Sequence, residues 1–537
     1  MTDTRPNIER RTRSGIPLKN YYKAADVASL GEALTEQPGQ FPYTRGRRPA
    51  PSGGWIQRSL SGEGGPRHSN EQLRFLIAGG QTGVSVIVDA PSMALLDPDH
   101  PLARNALGTQ GVSLCCKRDY LELYRDIPLD KITISASQVF PLFQLAGLYL
   151  AARDYRYAIN TLRGSVMGIP LYAEDCSYAL HIPVAQRVRA TCDAMEWCAK
   201  TMPRFHSCIE DTYFFSESGL NIVEEMALGF VEIRHLVRKL IARGVPIDSF
   251  APRIAILVNC SMDFFEEIAK VRATRRLFAR MMKEEFGAQD PRSHSVVITS
   301  HTSGLTLTAQ QPVNNIVRGT VQALALVLGG AHAIEISTFD EAFRIPSREA
   351  QLVGLRTQQI LELESGVANV VDPLAGSFYV EHLTAQIEQR IWRMVQDIEA
   401  RGDAEQLCEQ GFFRTFFTNC MERHHHALQE NEQLMVGVNV HKLGPEEDTL
   451  LREVAETKIP PARERIDEIR RLKGNRDLEQ VKRRLQEVRA GAASTDNLVP
   501  LVIAAFDADA TMGEIAGAIR QASGHPWDPF DRVAPLI

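Results

Sequence analysis

The sequence has no long apolar run and few features of a disulfide-stabilised protein. No stretch reaches the ~20 apolar residues that a membrane span requires, and the N-terminal segment MTDTRPNIERRTRSG lacks the apolar core of a signal peptide. The nine cysteines include no CxxC pair, so neither a disulfide framework nor a zinc site is predicted. We therefore expect a cytoplasmic protein in a reducing compartment, without a bound metal.

A strong excess of one charge is also lacking. The 60 basic and 66 acidic residues leave a formal net charge of −6 over 537 residues. This balance argues against a general nucleic-acid or membrane binder. The length exceeds one typical domain but is compatible with a large α/β barrel that carries additional segments.

Short β-branched runs alternate with amphipathic helical segments between residues 70 and 400. Alternation of this kind predicts a (β/α)8 TIM barrel rather than an open sheet. We assign the barrel to residues 61–400, an extended arm to 1–60 and a charged helical region to 401–537. In the helix after the sixth strand, Asp263 and Glu266 are predicted to form a capping box. The eight strand candidates are 83–92, 111–116, 131–137, 160–166, 206–213, 254–260, 294–300 and 332–338.

The segment KITISAS (131–137) carries an unusual strand face. Alternation along a strand separates Ile132, Ile134 and Ala136 from the hydroxylated residues Thr133, Ser135 and Ser137. A barrel interior is normally filled by bulky branched side chains. Two interpretations stay open: small side chains that pack against large ones from neighbouring layers, or a lumen wide enough for an elongated polar ligand.

Two basic runs have no assigned role from composition alone. Arg45, Arg47 and Arg48 form either a solvated loop or a phosphate contact. The run His424 to His426 lies in a predicted helix, and consecutive positions do not share one helix face. We therefore interpret these histidines as a surface run and not as a metal site.

Nearly the whole chain resembles the large chains of cobalamin-dependent acyl-CoA mutases, nearest the isobutyryl-CoA type. The individual segments are not mechanistic motifs, but their order and spacing together are specific. They include SGIPLKNYY (14–22), FPYTRG (41–46), GQTGVSVIVD (80–89), DPDHPLARNALG (97–108), IPLDKITIS (127–135), TSGLTLTAQQPVNNIVR (302–318) and ESGVANVVDPLAGSFYVEHLT (364–384).

The resemblance implies a barrel through which the pantetheine arm of coenzyme A passes, with adenosylcobalamin against the barrel mouth. It implies a radical 1,2-rearrangement of the carbon skeleton of an acyl-CoA. The family's cobalamin module carries an Asp-x-His-x-x-Gly loop, and the nearest approach here, Asp97 to His100, lacks that spacing. We therefore expect a small partner subunit to hold the cobalamin, in a heterotetramer of two large and two small chains. A G-protein chaperone is a further partner that the resemblance suggests.

The resemblance also assigns roles to residues at matching positions. The catalytic candidates are Tyr213, Phe214, Arg163 and His301. The substrate-binding candidates are Thr161, Ala173, Ser135, Ser137 and Thr299, and the cofactor-binding candidates are Glu217, Gly330, His332, Glu335 and Glu364.

Several of these positions depart from the family pattern. Phe214 stands where the family has a histidine that donates a hydrogen bond to the thioester carbonyl, and the loop after Gly46 is shorter and lacks an aromatic residue. Ala173 replaces the residue that discriminates substrates, so a substrate other than methylmalonyl-CoA is expected. Arg163, which shares a predicted strand face with Thr161, or His301 could supply the missing donor.

Two functional interpretations follow from these departures. Either the pocket is rebuilt for another acyl group, or the chain is a catalytically inactive homologue that serves as a binding or scaffold subunit. Losing one carbonyl donor can cost ~3 kcal/mol in catalysis. We favour the rebuilt pocket, because the altered positions gained polar residues that are costly to bury unpaired.

Overall fold

The computed structural model of the chain describes residues 10–51, 53–177, 179–444, 446–456 and 458–537. Its centre is a single sheet in which every pair of neighbouring strands is parallel. The strands are β1 Ile56–Arg58, β2 Leu60–Ser61, β3 Gly83–Ile87, β4 Thr133–Ser137, β5 Gly164–Met167, β6 His206–Asp211, β7 Ile254–Val258, β8 Val297–His301 and β9 Ala333–Glu335.

The sheet closes through its first two segments. β1 pairs with β9 on one side, and β2 pairs with β3 on the other. Only Ser59 separates β1 from β2, so the two are successive halves of one strand. The nine segments therefore occupy eight positions around a barrel, which confirms the predicted TIM-barrel fold.

Helices follow the strands and cover the outside of the barrel, and further helices form the C-terminal region. None of those in the described residues is long and apolar enough to cross a membrane. They are α1 Pro66–Ala78, α2 Ala90–Met93, α3 Lys117–Leu123, α4 Pro141–Asp154, α5 Ala173–Cys176, α6 Val184–Thr201, α7 Tyr213–Glu217, α8 Ile222–Ala242, α9 Ile247–Phe250, α10 Phe264–Arg280, α11 Asn314–Gly329, α12 Arg348–Leu363, α13 Phe378–Glu399, α14 Ala404–Glu409, α15 Phe412–Gln429, α16 Thr449–Glu456, α17 Glu464–Asn475, α18 Leu478–Ala493, α19 Leu498–Asp507 and α20 Met512–Ala522.

One strand prediction is wrong, and one strand was missed. Residues 111–116 form only an isolated bridge between Val88 and Val112. The backbone N–H groups of Cys115 and Cys116 instead donate to the Asp119 carboxylate, so they cap α3 and are not available to a strand ladder. The first barrel strand begins at Ile56, inside the range assigned to the arm. Residues 1–9 of that arm lie outside the described residues.

The C-terminal region is helical, as predicted. α17 and α18 are rich in charged residues, whereas α19 and α20 are largely apolar, with Leu498, Val499 and Val502 buried. The predicted surface histidine run is wrong for His424, which is buried on the inner face of α15, whereas His425 is exposed.

The predicted capping box at the start of α10 does not form. The side chains of Asp263 and Glu266 instead accept hydrogen bonds from the backbone N–H groups of Arg13 and Ser14, each at 3.3 Å. These two acids therefore attach the N-terminal arm to the barrel.

A buried ion cluster holds the carboxyl ends of β6 and β7. The ammonium of Lys270 on α10 lies 3.0 Å from Glu225 and 2.7 Å from Glu267. Glu225 accepts hydrogen bonds from the Thr212 hydroxyl (2.9 Å) and from the backbone N–H of Asn259 (3.1 Å). Lys270 thus connects the residues that follow both strands.

We expect Lys270→Met to lower the free energy of unfolding by about 3–5 kcal/mol, because two buried carboxylates lose their cation. The matched control is Lys200→Met, since Lys200 pairs with Glu196 on an exposed helix face and should change stability by less than about 1 kcal/mol. Urea denaturation measures both variants. Equal effects of the two substitutions would contradict the role given to Lys270.

Candidate active site

The barrel encloses a cavity of about 210 Å³. Each barrel strand contributes at least one side chain to its wall, so the cavity is the barrel lumen and not a surface groove. Its lining includes Arg58, Leu60, Ser85, Ile87, Ser135, Ser137, Met167, Ile209, Asp211, Tyr213, Phe214, Leu257, Thr299, His301, Ala333, Glu335 and Glu341.

The lumen has a hydroxylated wall and an apolar wall. On the β3–β5 side, Ser85 and Ser135 line the cavity, and the Ser135 hydroxyl lies 2.9 Å from that of Ser165. The β6–β8 side carries a separate apolar cluster of Ile209, Ala255 and Val297, with Leu257 against it. The serine face predicted from KITISAS therefore borders open space, and the packed-core interpretation of that face is wrong.

At the carboxyl end of the strands, His301 lies among aromatic and acidic groups. Its ring stacks on Tyr213 with centroids 4.7 Å apart. Its Nε2 lies 3.0 Å from the Ser337 hydroxyl and 3.7 Å from Glu341, and its Nδ1 lies 3.8 Å from Glu335. Burial lowers the pKa of His301, although Glu335 opposes that shift. Burial also raises the pKa of Glu341 well above its ordinary value.

A second polar group lies beside Tyr213 at the same end of the barrel. Glu217 accepts hydrogen bonds from the amide of Asn259 (2.6 Å) and the hydroxyl of Ser303 (2.8 Å). Burial raises the pKa of Glu217, and these two donors oppose the rise. The Asn259 Oδ1 atom is buried and has no hydrogen-bond partner in the described part of the chain. A buried, unsatisfied acceptor therefore lies beside Glu217 at this end of the barrel.

At the opposite, amino end of the strands the charge is positive. Arg47 donates a hydrogen bond to the Ser295 hydroxyl at 3.1 Å. Burial, together with Arg48 and Arg253, lowers the pKa of Arg47 to about 10. Burial and the nearby arginines also lower the pKa of His206 to about 3 and that of His332 to about 4. This set of basic side chains, which we call the basic end, is suited to a multiply charged anion.

The structure brings most of the predicted catalytic and substrate-binding residues together. The lumen lining contains Tyr213, Phe214 and His301, together with Ser135, Ser137, Thr299 and Glu335.

Three other predicted residues lie elsewhere. Arg163 is exposed, precedes β5 and donates to the carbonyl oxygen of Lys131 at 2.7 Å. Thr161 lies in a 3-10 turn, and its hydroxyl donates a hydrogen bond to the carbonyl oxygen of Ala158. The prediction that Thr161 and Arg163 point from a strand face into the lumen is therefore wrong. Ala173 is buried in α5, outside the cavity lining.

The predicted cofactor-binding residues are divided between the two ends of the barrel. Glu217 and Glu335 lie at the carboxyl end. Gly330 and Glu364 end α11 and α12, and His332 directly precedes β9, which places these three at the amino end. The five predicted residues are therefore separated along the barrel axis.

Several lumen residues were missed from the sequence. Asp211 and Glu341 line the carboxyl end, Arg58 passes over Gly83 towards Thr133, and His206 belongs to the basic end. The acidic pair Glu210 and Asp211 at the end of the buried strand β6 was the available signal, since alternation sends one of two consecutive side chains inward.

Among the described residues, one group has the composition of a metal site, namely Cys115, Cys116 and Asp119. It lies outside the barrel, and Arg465 already pairs with Asp119 at 2.6 Å.

Comparison with known proteins extends over almost the entire chain. The family model for methylmalonyl-CoA mutase matches residues 11–525. The 2-hydroxyisobutanoyl-CoA mutase large subunit of Aquincola tertiaricarbonis is 35% identical over 513 residues, which cover 95% of this chain and 91% of that protein. The methylmalonyl-CoA mutase of Rhizobium meliloti is 33% identical over 521 residues, covering 96% and 72%. The human mitochondrial methylmalonyl-CoA mutase is 30% identical over 521 residues, covering 96% and 68%.

The strands, the lumen that they enclose and these matches lead to one assignment: the chain belongs to the methylmalonyl-CoA mutase family, a family of isomerases that in general depend on cobalamin.

Proposed function

We propose that the chain is the acyl-CoA-binding large subunit of an adenosylcobalamin-dependent mutase that rearranges the carbon skeleton of an acyl-CoA other than methylmalonyl-CoA. The observation that carries this proposal is the polarity of the lumen along its axis. One end is basic, the middle is hydroxylated on one side and apolar on the other, and the far end is acidic and aromatic.

The basic end supports a site for the phosphates of coenzyme A. Arg47 and Arg253 are partly buried near one another, and burial lowers the pKa of each. Phosphate oxygens would neutralise these guanidinium groups through charge-assisted hydrogen bonds. The two neutral histidines, His206 and His332, offer further donors to the same anion.

The middle of the lumen supports the pantetheine arm, which carries amide groups and an apolar dimethyl group. The hydroxyls of Ser85 and Ser135 would bond its amides, while Ile209 and Leu257 would contact its methyl groups. Because each wall matches one side of the ligand, the lumen orients the arm as well as enclosing it.

The side chains at the carboxyl end of the lumen are suited to an acyl group that is neutral or carries hydrogen-bond donors. Glu335 and Glu341 flank His301, whereas the Arg58 side chain passes over Gly83 towards Thr133, at the amino end of β3 and β4. A free carboxylate on the acyl group would face these acids and lack the bidentate arginine that such groups usually require. Ala173 lies outside the lining and therefore does not select the charge of the acyl group.

The mouth of the lumen supports contact with the cofactor through Glu217 and Asn259, whose unsatisfied oxygen would accept a hydrogen bond from an amide or a ribose hydroxyl. When bound, adenosylcobalamin supplies a carbon radical. The residues of this chain would orient the acyl group, stack Tyr213 against it and exclude water. The relative from Aquincola tertiaricarbonis is named a large subunit, which supports a small cobalamin-binding partner; a heterotetramer and a G-protein chaperone remain proposals.

Arg47→Met should weaken the binding of coenzyme A about tenfold or more, because a charge-assisted hydrogen bond to phosphate is lost. Isothermal titration of the purified chain measures the dissociation constant. The matched control is Arg292→Met, since Arg292 is exposed and already neutralised by Asp290 at 2.6 Å. Coenzyme A binding that is unaffected by Arg47→Met would contradict a phosphate site at the basic end.

The reconstituted complex should discriminate between acyl groups by charge. With the small cobalamin-binding subunit co-expressed, a hydroxylated or branched neutral acyl-CoA should produce the absorbance change that accompanies cobalt–carbon cleavage. Methylmalonyl-CoA should produce none at pH 7, because its carboxylate would face Glu335 and would find no bidentate arginine at the acyl end of the lumen. Rapid conversion of methylmalonyl-CoA would contradict the proposed acyl pocket. If no branched, hydroxylated or aromatic ester in a panel produces this absorbance change while coenzyme A still binds, the result would instead favour a catalytically inactive scaffold subunit.

A further inference from the structure

A thioester carbonyl inside this lumen needs a hydrogen-bond donor. A carbonyl oxygen buried without one costs about 1–3 kcal/mol, and a preorganised donor is the usual means of stabilising charge that develops on such an oxygen. Phe214 supplies none, and Arg163 lies outside the lumen. The Tyr213 hydroxyl lies near Gly304 and Glu217. The Nε2 atom of His301 already makes a hydrogen bond with the Ser337 hydroxyl.

Asp211 is the lumen acid whose oxygens lack partners. It is the last residue of β6, and its side chain lines the cavity, as does that of Ile209 two residues earlier. The intervening Glu210 faces Glu232 of α8, outside the barrel. Asp211 is 1% exposed, and neither carboxyl oxygen receives a hydrogen bond of good geometry among the residues described, although the backbone N–H groups of Phe214 and Tyr213 lie close by. A buried carboxyl group without a well-formed hydrogen bond is suited to bind a polar atom of a ligand.

We propose that Asp211 is a catalytic residue whose protonated carboxyl group donates a hydrogen bond to the thioester carbonyl of the bound substrate; this assignment rests on the proposed function. Asp211 lies two residues before Tyr213, at the carboxyl end of the lumen where the acyl group would lie. The Asp211 side chain borders the lumen there, together with those of Tyr213 and Phe214.

The surroundings of Asp211 favour the protonated form. Burial, with smaller contributions from the carboxylates of Glu335 and Glu225, raises the pKa of Asp211 to about 8, and the backbone N–H groups of Phe214 and Tyr213 partly oppose the rise. Below about pH 8 the group donates; above it, a carboxylate repels the carbonyl oxygen. The other charged or titratable groups that face Asp211 across the lumen or lie behind its strand are Tyr213, His301, Glu341, Arg58 and, through Glu225, Lys270.

Thr299 is the competing donor. Its hydroxyl also lines the lumen and has no hydrogen-bond partner within the described residues. The register places it in the same layer, because Asp211 pairs with Leu257 and Leu257 pairs with Thr299. Asp211 is the stronger candidate, since an unpartnered carboxyl group is more costly to bury than an unpartnered hydroxyl.

The test compares two probes that differ only in the carbonyl: acetyl-CoA and the thioether S-ethyl-CoA. Wild type should bind the thioester about tenfold more tightly at pH 7, and should lose that preference as the pH rises through about 8. Asp211→Asn keeps a donor and should keep the preference at both pH values, whereas Asp211→Leu should abolish it. The matched control Glu210→Gln alters a buried acid on the outer face and should leave the preference unchanged.

The infrared band of the thioester carbonyl, labelled with carbon-13, gives a second readout. It should shift to lower frequency on binding to wild type and to Asp211→Asn, and should not shift on binding to Asp211→Leu. Loss of the preference in Thr299→Val but not in Asp211→Leu would assign the donor to Thr299 and overturn the proposal. Thioester and thioether that bind equally well to wild type would also overturn it, with the coenzyme A site intact. Failure of coenzyme A itself to bind would instead reject the proposed function.

Discussion

A TIM barrel is normally solid, and this one depends on small inward-facing side chains that keep its axis open. Ser85 and Ser135 occupy positions that bulky branched residues fill in most barrels. Their hydroxyls would be costly to bury against an apolar layer, so the open space and the polarity of the wall arise together. The opposite wall is apolar through Ile209 and Leu257. An elongated ligand with a polar and an apolar side satisfies both walls.

The two ends of this lumen differ because the groups that surround them do. Loops and helix ends place Arg47 and Arg253 at the amino end, where His206 and His332 are kept neutral. At the carboxyl end the turns after β6 and β7 place acids and Tyr213, and the buried Lys270 fixes both turns through Glu225. The charge difference between the ends therefore rests on packed structure and not on mobile surface side chains. It gives an anionic ligand one favoured direction.

The fold could be predicted largely from the sequence, because seven of the eight predicted strand segments overlap a barrel strand. The exception, 111–116, is apolar enough to resemble a strand, but its amides cap α3 through Asp119. The missed first strand, Ile56–Ser61, is short and polar and gives no hydrophobic alternation. In KITISAS, period-2 alternation was sufficient to identify the serine face.

The site was less predictable than the fold, because it depends on where each strand begins and which end of the barrel a residue occupies. β5 starts at Gly164, one residue after Arg163, and that offset removes Arg163 from the lumen. Motif matching likewise cannot predict that Glu217 and His332 lie at different ends of the barrel, because it compares residue types and not their positions along the barrel axis. Asp211 could have been found from alternation, since Glu210 and Asp211 are consecutive in a buried strand and only one of them can face outward.

The direction in which coenzyme A passes through the lumen is the central claim, and a crystal or cryo-EM structure of the chain with an acyl-CoA tests it most directly. We predict that the phosphates contact Arg47 and Arg253, that the pantetheine arm runs between Ser135 and Leu257, and that the thioester lies beside Asp211 and Tyr213. Phosphates at the mouth beside Glu217, or an acyl-CoA bound outside the barrel, would contradict the account.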